Sequence, residues 1–428
     1  MAQAPNEMHG ADGVHFDDGI VGEILLRLPA GSVLRCRAVC TAWRRVADSP
    51  ELLAAHARRR PLEILQYART EIWPDDGVRR EAASGSGEDF DVHAVAVFSG
   101  ARRLLARYPV AEKNPMHMSM PYSPLLASCD GLLLLGHGRG YEQRPYASYL
   151  VCNPATRQWT ELPHLTAGFA AAGEQPGQDA PATLDLRESG FYRHAPSGEY
   201  RLLCHVTPSS GQAPYYCVLS AGADEPRRLA TTIAHRAGNI YGDLMMPAVL
   251  GGRLHWLRHM EAGHTDSMVA FDTAAERFSR MPSPPVAWKT NSRLLVAYGS
   301  TLMAAEHGDM VFDLWALEGY TVTGGEAAEG DAMRWVLRHR VEVPWRAHWP
   351  TVVYGTEDGS GDVVLGSGYG VVAYNMRSGA ARRVVIDDVR ESKEERLLLS
   401  RRVFRESLVR HGFFDARPHP GLPLFHLF

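Results

Sequence analysis

Apolar residues first recur at helical spacing from Ile20. Ile20, Ile24, Leu25 and Leu28 fall at i, i+4, i+5 and i+8, one stripe that Pro29 and Gly31 terminate. Residues 1 to 15 are polar and glycine-containing without a period, which predicts a disordered leader. Ser32 is placed to cap a second helix, whose stripe is Val33, Cys36, Val39, Cys40, Trp43 and Val46. Arg35, Arg37, Arg44 and Arg45 lie mostly off that stripe. A third helix is signalled by Ser49 as N-cap, Pro50 at the first helical position, then Leu52, Leu53 and His56. Three helices thus fit within about forty residues, and a domain of that size usually needs a staple, a metal or a partner to complete its core. The stripe is therefore predicted to be shared with another protein.

After Arg60 the pattern changes. Short apolar runs, such as Leu132 to Leu135, Tyr149 to Cys152, Leu202 to Val206, Met268 to Phe271 and Val371 to Tyr374, are broken by Gly, Pro, Asn and Asp. Breaks at intervals of about ten residues are the sign of an all-β sandwich, barrel or propeller. A degenerate repeat runs through the region: Leu150 to Trp159, Met268 to Phe278 and Val371 to Gly379. Each copy is an apolar strand, then Asn153, Asp272 or Asn375, whose side chain can close a turn, then small or polar residues. Another apolar strand precedes each copy, so the unit has at least three strands. Units of roughly forty to fifty residues would give a β-propeller of about six or seven blades. Three long polar loops are expected at 84–89, 171–182 and 323–331. The predicted organisation is a leader over 1–15, a small all-α module over 16–60, a large all-β domain over 61–410 and an apolar C-terminal tail over 411–428. That tail, from Phe413-Phe414 to Phe428, is expected to pack on the propeller and close its ring, the alternative being a partner-binding peptide.

Composition narrows the function classes. The 428 residues are 45% hydrophobic and 22% charged with a formal net charge of -4, so nothing draws the chain to nucleic acid phosphates or anionic lipid. No run of apolar residues is long enough for a membrane helix and no signal peptide is evident, which predicts a cytoplasmic or nuclear protein. The six cysteines lack the regular spacing of a secreted disulfide scaffold, so reduced thiols are expected.

The segment Phe16 to His56 resembles the F-box. It supplies Asp18, Glu23-Ile24-Leu25, Leu28-Pro29, Ser32-Val33-Leu34-Arg35-Cys36-Arg37-Ala38-Val39-Cys40, Trp43-Arg44 and Asp48-Ser49-Pro50. It departs from the family where Phe16-Asp17 stands in place of Leu-Pro and at Gly19, changes expected to loosen the first turn. The rest of the chain resembles the F-box-associated domain common in plant F-box proteins. Ser128-Cys129-Asp130-Gly131-Leu132-Leu133, Asn153-Pro154-Ala155-Thr156 through Leu162-Pro163, Gly252 to Leu257, and Phe271-Asp272 through Met281-Pro282 carry that likeness. The resemblance implies a non-catalytic substrate-recognition subunit of an SCF-type ubiquitin ligase. Its F-box would bind a Skp-type adaptor, and through it cullin and RING subunits, while the β domain binds an unknown protein substrate. The implied adaptor contacts are Ile20, Ile24, Leu25, Leu28, Pro29, Val33, Leu34, Val39, Cys40 and Trp43.

Other chemistry is weaker. Cys36 and Cys40 with His56, or His255 with His259 and His264, have suggestive spacing, but neither set is completed by the second pair a zinc site uses. Packing residues explain them better, and no metal or cofactor is expected. Gly136 to Gly140 and Gly366 to Gly370 are read as β-turns, not phosphate loops. Arg58-Arg59-Arg60 reads as the solvated end of a helix. The rival reading is a propeller enzyme or lectin acting on a small ligand or sugar, which would need clustered carboxylates or a metal in the central channel.

Overall fold

The computed structural model describes residues 17–69, 88–96, 98–110, 125–137, 148–165, 184–208, 213–230, 247–257, 267–284, 293–308, 310–320, 333–343, 350–355, 361–367, 370–384, 396–416 and 426–427. The predicted loops at 171–182 and 323–331, most of 84–89, and the leader lie outside the described residues. The chain divides into two units, Met1–Arg60 with Glu406–Arg410, and Pro61–Arg405 with His411–Phe428.

The first unit holds four helices, α1 (Asp18–Leu25), α2 (Ala30–Cys36), α3 (Thr41–Ala47) and α4 (Pro50–Arg59). The stripe from Val33 to Val46 is thus two helices. The break lies at residues 37–40, where Arg44 Nε donates to the Arg37 carbonyl at 3.0 Å. A carbonyl at a helix end has no intrahelical partner, and this side chain supplies one. Pro29, not Ser32, is the N-cap of α2. Ser49 caps α4 as its sequence implies, accepting from Leu52 N at 3.1 Å, with Pro50 in the first turn. At the start of α1, Asp17 is the N-cap and accepts from Gly19 N at 3.3 Å. A Cβ on Gly19 would lie 3.0 Å from that carboxylate, so the two departures from the family pattern fit each other.

The second unit is a six-bladed β-propeller. Blade II is β4 (Leu125–Cys129), β5 (Leu132–His137), β6 (Ser148–Asn153) and β7 (Gln158–Glu161). Blade III is β8 (Leu184–Arg193), β9 (Tyr200–Pro208), β10 (Tyr215–Ser220) and β11 (Arg227–Arg228). Blade IV is β12 (Ala248–Leu250), β13 (Arg253–Trp256), β14 (Ser267–Asp272) and β15 (Arg277–Pro282). Blade V is β16 (Arg293–Tyr298), β17 (Thr301–His307), β18 (Val311–Glu318) and β19 (Arg334–Glu342). Blade VI is β20 (Pro350–Gly355), β21 (Asp362–Ser367), β22 (Gly370–Asn375) and β23 (Ala381–Val384).

Blade I is composite. It joins β1 (Glu63–Arg69), β2 (Glu88–Ala96) and β3 (Arg102–Val110) to β24 (Arg396–Phe404) on one side and β25 (His426–Leu427) on the other. Pairing of β24 with β1, Glu63 opposite Phe404 and Ile64 opposite Val403, closes the ring. The described residues of the terminal tail take no part in that pairing. Instead α5 (Phe413–Ala416) packs with the core of blades II and III, where Phe414 is buried, and β25 adds an outer edge strand to β3.

The short apolar runs are continuous rather than alternating because a blade is buried on both faces. Leu132 and Leu134 enter the core shared with blade III, while Leu133 and Leu135 enter the core shared with blade I. All six positions of β6 are buried. Each fully buried leucine stabilises the fold by about 1.5–3 kcal/mol relative to exposure. The repeat lies where β6 meets β7, β14 meets β15, and β22 meets β23. In each turn the predicted Asn or Asp side chain accepts two backbone N–H groups. Asn153 Oδ1 takes Ala155 and Thr156, Asp272 Oδ1 takes Ala274 and Ala275, and Asn375 Oδ1 takes Arg377 and Ser378, at 2.8–3.4 Å.

Candidate protein-interaction surface

The helical unit partitions the apolar residues of α1 into two sets. Val21 and Leu25 are buried, 1% and 0% exposed, whereas Ile20 is 52% exposed and Ile24, one turn on, is half-buried. Val21 lies outside the stripe of Ile20, Ile24, Leu25 and Leu28. It is the residue that turns inward with Leu25, because i and i+4 share a helix face. A short surface helix that buries one apolar pair and shows another has an apolar face left over.

The other expected contact residues divide in the same way. Val33 is fully buried beside Ala30. Leu28, Leu34 and Trp43 are half-buried, and Pro29 and Cys40 are exposed. Val39, in the link between α2 and α3, is 63% exposed. Leu25 and Val33 therefore build the unit's own core, and the remaining eight positions reach solvent.

The internal frame of the unit is polar as well as apolar. His56 is buried and its Nε2 hydrogen-bonds the Leu28 carbonyl at 2.8 Å, tying α4 to the end of α1. Arg45 pairs with Asp18 and Arg59 with Glu23. Glu406–Arg410, distant in sequence, belongs to this unit, and nothing in the local sequence announces it. Glu406 accepts from Ala30 N at 3.3 Å and lies 3.6 Å from the Arg60 guanidinium. Leu408 is 0% exposed, and Arg410 donates to Asp48 at 2.7 Å, which also pairs with Arg37 at 2.7 Å.

Cys36 and Cys40 with His56 do not form a metal site. Among the described residues no group of three or more His, Cys, Asp or Glu is placed to hold a metal ion. Cys40 is the exposed N-cap of α3, and His56 is engaged by Leu28. In the propeller, His255 is fully buried between the Ala248 carbonyl at 3.1 Å and the Tyr320 hydroxyl at 2.8 Å. Burial holds its imidazole down at a pKa of about 4, so it serves as a neutral hydrogen-bonding group of the core. His259 and His264 lie outside the described residues. Gly136 and Gly366 lie inside strands β5 and β21, one residue before their ends, and Gly370 opens β22, while residues 138–140 and 368–369 lie outside the described residues.

An amphipathic helical unit with leftover apolar side chains, followed by a ring-closed propeller, is the architecture of a two-part binding protein. Residues 15–54 match the F-box domain, and residues 106–413 match the F-box associated beta propeller domain. The chain belongs to the family of F-box proteins with an F-box-associated propeller. It is 22% identical over 311 residues to a protein of Arabidopsis thaliana named as an F-box/kelch-repeat protein, covering 70% of this chain and 68% of that one. A second Arabidopsis thaliana protein, named as an F-box protein, is 23% identical over 321 residues, covering 70% of this chain and 64% of its own length. Among solved structures, a Bacteroides fragilis protein described as a 6-phosphogluconolactonase aligns with 80% of this chain and 96% of its own, at 10% identity and a TM-score of 0.37. A likeness of that size carries no argument about activity. No described helix is long and apolar enough to cross a membrane.

Proposed function

We propose that this protein is the substrate-recognition subunit of an SCF-type ubiquitin ligase, acting in the cytoplasm or nucleus. The observation that carries this reading is the uncovered apolar set of the F-box unit, Ile20 and Val39 above all, in a chain whose remaining mass is a propeller. The adaptor surface is formed by Ile20, Ile24, Leu28, Pro29, Leu34, Val39, Cys40 and Trp43, with Leu25 and Val33 supporting it from beneath. An aromatic within such a helical interface is a typical anchor, and its truncation costs about 2 kcal/mol or more of binding. The adaptor connects to cullin and RING subunits, and the propeller holds a protein substrate. Catalysis then requires only proximity: holding the substrate near a charged ubiquitin-conjugating enzyme raises its effective concentration. No cofactor is needed for that role.

Co-purification with a Skp-type adaptor tests the reading. Trp43→Ala, and Ile20→Asp combined with Val39→Asp, are expected to abolish capture while the propeller melts at the wild-type temperature. Undiminished capture by both variants would overturn the assignment.

A further inference from the structure

We infer that Glu406–Arg410 is a working part of the adaptor-binding module, holding α2 in position from the far end of the chain. The inference rests on the adaptor reading above and deepens it. Three observations converge. First, α2 starts at Pro29, which offers no side-chain cap. Its first turn therefore has N–H groups without local acceptors, and the Glu406 carboxylate accepts the Ala30 N–H at 3.3 Å. Second, Leu408 is completely buried and Ser407 nearly so, at 3%. Two consecutive side chains of a segment that groups with the helical unit are thus withdrawn from solvent. Third, each end is held by charge: Glu406 by Arg60 at the end of α4, and Arg410 by Asp48 at the end of α3.

This arrangement answers the size problem of the N-terminal module. About forty residues of helix bury too little surface to be stable alone, and Glu406–Arg410 joins them in the same unit from far along the chain. The anchored helix is the one that leads from Pro29 through Leu34 to Val39, three of the proposed adaptor contacts. Glu406 and Leu408 touch no adaptor in this scheme. They are positioning residues that set the geometry of those that do.

The chain also leaves the propeller for this segment and returns to it at once. The segment follows β24, the strand that closes the ring, and precedes His411, whose ring stacks on Phe413 at 5.2 Å and meets Tyr200 edge-on at 5.1 Å.

The test uses the full-length protein with Glu406→Ala, Glu406→Gln and Leu408→Ser, and two readouts. One is affinity for a purified Skp-type adaptor; the other is hydrogen exchange of backbone amides across α2 and across β5 and β6. Glu406→Ala is expected to weaken adaptor binding about fivefold, in the range of a lost helix cap. Glu406→Gln keeps an acceptor for Ala30 N and is expected to stay within about twofold of wild type. Leu408→Ser is expected to lose measurable binding and to speed α2 exchange at least tenfold on the order expected for core truncation, with β5 and β6 unchanged. Wild-type α2 exchange in Glu406→Ala and Leu408→Ser would overturn the inference, whatever the adaptor does. Faster α2 exchange in those variants alongside a wild type that captures no adaptor would support the packing role and overturn the adaptor reading instead.

Discussion

At the scale of single residues, the three repeat turns are an internal experiment. The fourth residue after Asn153, Asp272 and Asn375 is Arg157, Glu276 or Gly379, and all three have positive φ, +57°, +51° and +70°. A side chain in that region costs about 1 kcal/mol that glycine does not. Arg157 is exposed, and Arg157→Gly is expected to raise stability by about 0.5–1 kcal/mol in chemical denaturation. Glu276 is different, because its carboxylate accepts from Tyr192 at 2.9 Å, Arg201 at 2.6 Å and Arg227, joining blades III and IV. Burial alone would raise its pKa, but these donors outweigh it and hold the group below the ordinary carboxylate value. Glu276→Gly is therefore expected to destabilise by about 2 kcal/mol despite the relief of backbone strain.

His255 gives a pH prediction of definite sign. Its folded pKa, about 4, lies below the ordinary 6.5, so the unfolded chain binds the proton first as pH falls. Stability is full above about pH 6.5 and is lost as pH drops toward 4. By pH 4.5 the loss from this one group is on the order of 2 kcal/mol. Melting curves from pH 7 to 4.5 should fall more steeply for wild type than for His255→Gln; parallel curves would show that His255 is not held neutral. His93 and His411, also held near 4 by burial, add to the wild-type slope with the same sign.

At the scale of elements, ring closure depends on one strand. β24 reaches β1 from the other end of the propeller, and Phe404, opposite Glu63 and 1% exposed, sits in the core shared by blades I and II. Phe404→Ala is expected to destabilise the propeller by about 3–5 kcal/mol, and loss of β25 by much less, since among the described residues only His426 and Leu427 pair there. Thermal unfolding of the two variants ranks them. Equal effects would assign the closure to the tail after all.

At the scale of the whole molecule, a helical unit that displays apolar side chains and a propeller closed on itself divide the labour of a scaffolded receptor. Under proteasome inhibition, affinity purification of wild type against Trp43→Ala should return substrates with both forms and ligase subunits with wild type alone. Loss of every prey in the variant would argue for misfolding of the propeller rather than a broken adaptor surface.

Much of this molecule was legible in the order of its residues. The Asn or Asp of each repeat announces its turn because the side chain and the amides it caps are neighbours in the chain. Ser49-Pro50 announces α4 for the same reason, and the apolar runs announce strands buried on both faces. Three features needed the tertiary structure. The break between α2 and α3 depends on where Arg44 reaches, the inward face of α1 depends on what packs beneath Val21 and Leu25, and β24 and Glu406–Arg410 join residues more than three hundred positions away. Local sequence carries local hydrogen bonds and period, whereas which distant strand or carboxylate completes a sheet or a helix end is decided only when the ring has closed.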